Sequence, residues 1–170
     1  QLEAAGACTG VISTLQKHIK SEPVARWGCR AVYCLAEDMN NRNALGLSGG
    51  CEVITTVLLR HASVDLMSSV LQWNAGSEAV AEWGLGALYK LTINHPENQL
   101  KCYNAGACEV ISRTHQKYVD NENIALAGCK AVVTLGKKDS NIQNRLGSAG
   151  ACKSVSLSLQ YHTSNSNIAE

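Results

Sequence analysis

A Gly-x-Cys tripeptide occurs four times, at Gly6–Cys8, Gly49–Cys51, Gly106–Cys108 and Gly150–Cys152, with the cysteines 43, 57 and 44 residues apart. A second anchor is a small-residue patch: WGCRAVYCL at 27–35, WGLGALYKL at 83–91 and AGCKAVVTL at 127–135. Cys8 precedes Gly28 by 20 residues and Cys108 precedes Gly128 by 20, but Cys51 precedes Gly84 by 33. Subtracting the 13 extra residues of the second copy restores a period of about 44. Several anchors in one register make the chain a tandem array. Stacked units share a continuous core, so the limits on globular size do not apply and the 170 residues form one elongated domain.

Each unit reads as three helices. The first is short, as in NNRNALGLSG (40–49), ENQLKCYNAG (97–106) and NIQNRLGSAG (141–150), and ends on glycine as a left-handed cap requires. The second starts near the cysteine; Cys108, Ile111 and His115 are spaced to share one face, with Val110 alongside. The third opens at a polar residue, Ser21, Ser77, Asn121 or Asn165, suited to accept from a first-turn N–H. Pro23 fits an early helical position. The third helix is expected to bury Val24, Gly28, Ala31, Val32 and Leu35, with the matching residues 80, 84, 87, 88 and 91. A mid-helix glycine costs about 1 kcal/mol against alanine. Its recurrence at 28, 84 and 128 predicts a second helix crossing too closely for a side chain.

The segment N-x-x-N-x-L-G-x-A-G-A-C, followed by a second helix and the small-residue helix, resembles an armadillo repeat, and the resemblance covers essentially the whole chain. The family opens helix two with Gly-Ala-Ile-Pro; here Cys followed by Glu, Thr or Lys replaces Ile-Pro. The resemblance implies an all-α fold, a right-handed α-solenoid of about four three-helix repeats, approximately 1–38, 39–94, 95–138 and 139–170. The chain opens at the end of a first helix and closes on NSNIAE, which matches NENIAL at 121–126, so it reads as a fragment of a longer array.

The insertion lies between Arg60 and Ser77. Val64, Met67, Val70 and Leu71 keep helical spacing and Gly76 is expected to end the segment, giving a longer second helix or an added one. Trp73 near its end either packs on the array or contacts a partner.

Composition excludes several classes of function. A net charge of +1 argues against bulk electrostatic binding to DNA. No apolar run approaches the about 20 residues of a membrane span. Six of the eight cysteines (8, 29, 51, 108, 129 and 152) are repeat positions on apolar faces, where Cys acts as a small hydrophobe, and no Cys-x-x-Cys occurs. A disulfide scaffold is thus not expected, and a reducing cytosol or nucleoplasm is. Cys102, on a short first helix, is expected to be partly exposed.

Catalysis finds no support. His18, His61 and His162 each stand ten residues after the cysteine of their unit, with Tyr118 at that register in the third. This is a structural position at the end of helix two, where imidazole can meet unpaired carbonyls. Zinc needs three or four converging ligands, and these repeat along the array instead. No base is placed beside Cys34 or Cys102, and GLSGG (46–50) lacks the Lys-Ser/Thr of a phosphate loop. Neither an enzyme nor a cofactor is expected.

A stacked array binds on its concave face, lined here by the third helices. The resemblance implies a recurrent Asn where this chain has Cys34, Lys90 and Thr134, and a recurrent Trp where it has Arg30, Gly86 and Lys130; both ladders are absent. Trp27 and Trp83 share another register, with Arg26, Arg30, Lys90 and Lys130 in adjacent rows and Lys137 and Lys138 beyond. The expected site is a mildly basic groove of Trp27, Arg30, Trp83, Lys90, Lys130 and Thr134, holding an acidic, apolar-studded protein segment. The bland alternative is that the indoles pack between third helices and the cations are solvated. Two other functions are weighed beside the scaffold: a regulatory arm of a larger enzyme or GTPase-associated protein, and an RNA-binding helical repeat.

Overall fold

The computed structural model describes the backbone over residues 2–62 and 75–163, and side chains over 6–62 and 78–163. Among these residues the protein is all-α, with ten helices and no strand: α1 (Leu2–Lys17), α2 (Glu22–Leu35), α3 (Met39–Leu47), α4 (Gly50–His61), α5 (Ala75–Thr92), α6 (Pro96–Asn104), α7 (Ala107–Lys117), α8 (Glu122–Leu135), α9 (Ser140–Ser148) and α10 (Ala151–Tyr161). No helix among them is long and apolar enough to cross a membrane.

The glycine corners form where the short helices end. Gly49, Gly106 and Gly150 have φ of 84°, 82° and 92°, and each turns the chain from a nine-residue helix into the next. Side chains disfavour that conformation, which is why glycine recurs there. The first copy departs from this pattern. Gly6 is helical within an unbroken α1, so the turn expected at Gly6–Cys8 is not made.

The glycines inside the third helices answer to contact. A Cβ at Gly28 would lie 2.4 Å from Leu15 Cδ2, one at Gly84 2.5 Å from Leu58 Cδ2, and one at Gly128 2.6 Å from His115 Cγ. Helix two therefore crosses helix three at the same point in α1/α2, α4/α5 and α7/α8. His115 occupies the register that leucine holds in the other two pairs, and it is fully buried.

α2, α5 and α8 lie side by side, α5 between the other two. Its position explains a difference in burial. In α5 Val80, Gly84, Ala87, Leu88 and Leu91 are all buried, as expected. In α2 Val32 is buried, but Val24, Gly28, Ala31 and Leu35 are only half-buried, because among the described residues α2 has a third helix on one side alone.

Capping follows expectation in part. Asn121 Oδ1 accepts from the Ile124 N–H at 3.2 Å. Ser21 is the N-cap of α2 by position, yet its side chain makes no cap hydrogen bond. α5 begins at Ala75, so Gly76 and Ser77 lie within its first turn; Gly76 ends no helix and Ser77 is no cap. Helix two of the second unit is not lengthened, since α4 ends at His61. The expected added helix, Trp73 and Asn165 lie outside the described residues.

The cysteines are all free thiols. Cys8, Cys29, Cys51 and Cys108 are buried as expected, but Cys129 is half-buried and Cys152 is exposed. Cys102, expected to be partly exposed, is fully buried.

Two sets of bonds tie successive units, and both end on backbone carbonyls. Arg42, Gln99 and Gln143 share one register in the short helices. Arg42 Nε donates to the carbonyl of Ala36 at 3.1 Å, Gln99 Nε2 to that of Thr92 at 3.1 Å, and Gln143 Nε2 to that of Gly136 at 2.9 Å. These three carbonyls occupy one register at the end of the third helix, where no intrahelical donor remains. Arg42 Nη1 and Gln99 Nε2 also reach the next third-helix end, at Ile93 O (2.9 Å) and Thr134 O (2.8 Å). The recurrent histidines act likewise: His61 Nε2 bonds Ile19 O and His162 Nε2 bonds Val119 O, both at 2.8 Å. They join the preceding unit, rather than capping their own helix as the sequence position implied.

Candidate functional site

The helical period brings residues 26, 30 and 33 of α2, 83 and 89–90 of α5, and 130 of α8 to one surface. Trp27 is 53% exposed, with the Arg26 guanidinium 4.7 Å from its ring centre. Arg30 bridges the two indoles, 5.3 Å from the Trp27 ring and 4.9 Å from the Trp83 ring. Trp83 is half-buried and meets the Tyr33 ring edge-on, at 5.6 Å and 67°. The Lys90 ammonium lies 5.3 Å from both the Tyr33 and Tyr89 rings, and Lys130 lies 6.0 Å from Tyr89. Cations over ring faces are attracted by the ring quadrupole, more strongly where water is partly excluded.

The surface also carries carboxylates. Lys90 Nζ pairs with Glu37 Oε1 at 2.5 Å. Burial opposes the Lys90 charge, but the Glu37 hydrogen bond, with Tyr33 and Tyr89, outweighs it and holds the ammonium above the ordinary lysine range. Burial pushes the Glu82 carboxyl up, and Arg30 partly offsets that. Between α5 and α8 a hollow of about 230 Å³ is lined by Trp83, Tyr89, Leu126, Lys130 and Glu82 among others.

Of the residues expected in the groove, Trp27, Arg30, Trp83, Lys90 and Lys130 come together. Thr134 does not join them. It is buried, bonded through Oγ1 to Thr92 Oγ1 at 2.8 Å and to the Lys130 carbonyl at 2.9 Å. Each of Arg26, Arg30, Lys90 and Lys130 lies over an aromatic ring, Arg30 and Lys130 at exposed positions.

No family model, curated protein or solved structure matches the chain.

The surface therefore has to be read from its own geometry. Tyr33 and Tyr89, which complete it, were not singled out in the sequence. They stand at one register, in AVYCL and ALYKL, three residues after Arg30 and Gly86, and that recurrence was the available signal.

One other cluster holds groups with chemical potential. His115 Nε2 lies 2.7 Å from Ser158 Oγ and 3.9 Å from Cys129 Sγ, while His115 Nδ1 is buried without a hydrogen-bond partner. Burial lowers the His115 pKa to about 4 and raises the Cys129 thiol. Both effects disfavour the thiolate–imidazolium pair that a nucleophilic cysteine uses. Among the described residues no three His, Cys, Asp or Glu side chains are grouped to hold a metal ion.

Proposed function

We propose that this chain is an armadillo-like α-solenoid segment that serves as a protein-interaction scaffold and holds a partner polypeptide across α2, α5 and α8. The observation that carries this reading is the continuous row Trp27–Arg30–Trp83–Tyr33–Lys90–Tyr89–Lys130. Trp, Tyr and Arg are the side-chain types that dominate interface energies; here Trp83, Tyr33 and Tyr89 are half-buried and Trp27 and Arg30 exposed. The partner is an extended segment whose carboxylates meet Arg30, Lys90 and Lys130 while apolar side chains enter the hollow beside Trp83 and Leu126. Glu37 holds Lys90 in the free protein and would be displaced by a ligand carboxylate. No catalytic role or cofactor is assigned.

The test uses a peptide of alternating Glu and Leu, followed by tryptophan fluorescence. The Trp83→Ala/Lys90→Ala double variant is expected to lose binding with its far-ultraviolet dichroism unchanged. Trp27→Ala, at an exposed position, provides a second variant that leaves the packing alone. Undiminished binding by both would reject the reading. Tighter, steeply salt-dependent binding of a single-stranded RNA would transfer the surface to nucleic acid.

A further inference from the structure

The cysteine of the Gly-x-Cys corner meets a different neighbour from joint to joint. Cys8 Sγ donates to the Asn41 carbonyl of α3 at 3.8 Å, and Cys51 Sγ donates to the Asn98 carbonyl of α6 at 3.6 Å. Asn41 and Asn98 stand at one register of the short helices, and the residue four positions on lies one turn along the same face. That residue is Leu45 in α3, and Leu146 holds the same register in α9, but α6 has Cys102 there. The joint between the second and third units therefore sets two thiols against each other. The Cys51 and Cys102 thiols are within hydrogen-bonding reach, and both residues are fully buried. Helical geometry accounts for the approach: the Asn98 carbonyl that holds Cys51 Sγ is also the acceptor for the Cys102 N–H. Glu52 and Cys108 act on the Cys102 thiol through charge alone.

We propose that Cys51 and Cys102 are an oxidative modification site, closed to a disulfide by hydrogen peroxide, and that the bond fastens α4 to α6 across the joint between the second and third units. One sulfur attacks a peroxide oxygen, which leaves a sulfenic acid and one water. The other sulfur displaces the sulfenic hydroxyl as a second water, and the Sγ–Sγ bond forms. Two thiols and one peroxide thus give one disulfide and two waters, so protons and electrons balance. A small oxidant suits a buried pair, which a bulky disulfide cannot approach. The Cys51 hydrogen bond and burial hold the Cys102 thiol well above the ordinary cysteine range. Its thiolate is scarce at neutral pH, so the pair answers to sustained oxidation and not to a brief pulse. Leucine at 45 and 146 leaves the equivalent joints without a second thiol.

The experiment exposes the full chain to hydrogen peroxide for hours at mildly alkaline pH and maps its peptides without reduction. A Cys34→Ser/Cys152→Ser background removes the two exposed thiols. Expected are the loss of two hydrogens from the intact mass and a cross-linked peptide joining Cys51 to Cys102. The unfolded fraction at fixed urea should fall by about tenfold or more, as for closure of a long loop, and a thiol reductant should restore it. Cys102→Leu, which places at 102 the residue found at 45 and 146, should keep its far-ultraviolet dichroism and lose all of these responses. Thiols that stay intact under conditions that oxidise a free thiol completely would overturn the proposal. So would pairing of Cys102 with Cys108, oxidation of either sulfur to an acid without a cross-link, or a cross-link that leaves the urea response unchanged.

Discussion

Gln99 donates from one amide nitrogen to the carbonyl of Thr134 at 2.8 Å, across to the next third helix, while the same nitrogen holds Thr92 at 3.1 Å. Both are buried, so no water can replace the amide. Gln99→Leu keeps the volume and removes the donor to the Thr134 carbonyl, while the Thr92 carbonyl keeps the His95 N–H at 3.2 Å. The variant is expected to lower the unfolding free energy by about 1–3 kcal/mol, the cost of an unmet buried polar group. Urea denaturation measures it, and an unchanged midpoint would show that the bond contributes nothing.

His115 makes stability depend on pH. Its folded pKa is lowered to about 4 from 6.5 by burial, so the folded protein binds fewer protons than the unfolded chain between those values. The contribution is complete above pH 6.5 and is lost as pH falls toward 4, up to about 3 kcal/mol in all. His115→Leu restores the residue type found at 15 and 58. The variant should lose less stability than the parent between pH 7 and pH 5 in parallel urea titrations. Equal losses would mean that other groups carry the acid response.

Gly84→Ala and Gly128→Ala both improve helix propensity, yet both are expected to destabilise. Overpacking a filled contact costs about 1–3 kcal/mol, against about 1 kcal/mol gained in propensity. The second should be worse, because at Gly128 the obstruction is the root of the imidazole, Cγ at 2.6 Å and Cβ at 3.0 Å, and not the end of a leucine. Thermal melts of the two variants give the order, and stabilisation of either would refute the close-crossing account.

Thiol labelling of the native protein should be rapid at Cys34 and Cys152, which are exposed, and slow at Cys29 and Cys102, which are fully buried. Burial pushes the Cys29 thiol up to about 12, so its thiolate fraction is negligible at neutral pH. Peptide mapping after a short maleimide pulse would reveal the pattern. Prompt labelling of Cys102 would mean that its short helix opens readily.

Much of the helical plan was readable because spacing reports packing. The corners at Gly49, Gly106 and Gly150 and the crossings at Gly28, Gly84 and Gly128 recur as residues, and each recurrence has one steric cause. Gly6 shows the limit: glycine permits a corner without forcing one, and α1 runs straight through it. The start of α5 was misplaced because Gly76 and Ser77 are tolerated in a first helical turn as well as in a cap. Cys102 was misplaced because a nine-residue helix shows too little periodicity to reveal its buried side. The carbonyl ties of Arg42, Gln99 and Gln143 were missed for another reason. Gln recurs at 99 and 143 but Arg stands at 42, and a polar residue on a nine-residue helix does not by itself point to a carbonyl. For the binding row, Trp and the cations were visible one by one. Their pairing with Tyr33, Tyr89 and Glu37 depends on distances between helices that a single helix's sequence does not contain.

Those carbonyl ties have a consequence for how such a chain can change. The accepting positions are Ala36, Thr92 and Gly136, three unrelated side chains, because only main-chain oxygen is gripped. A joint that ignores the identity of what it fastens works like a standard thread. Neighbouring segments can drift, or be exchanged for one another, without a compensating change on the far side.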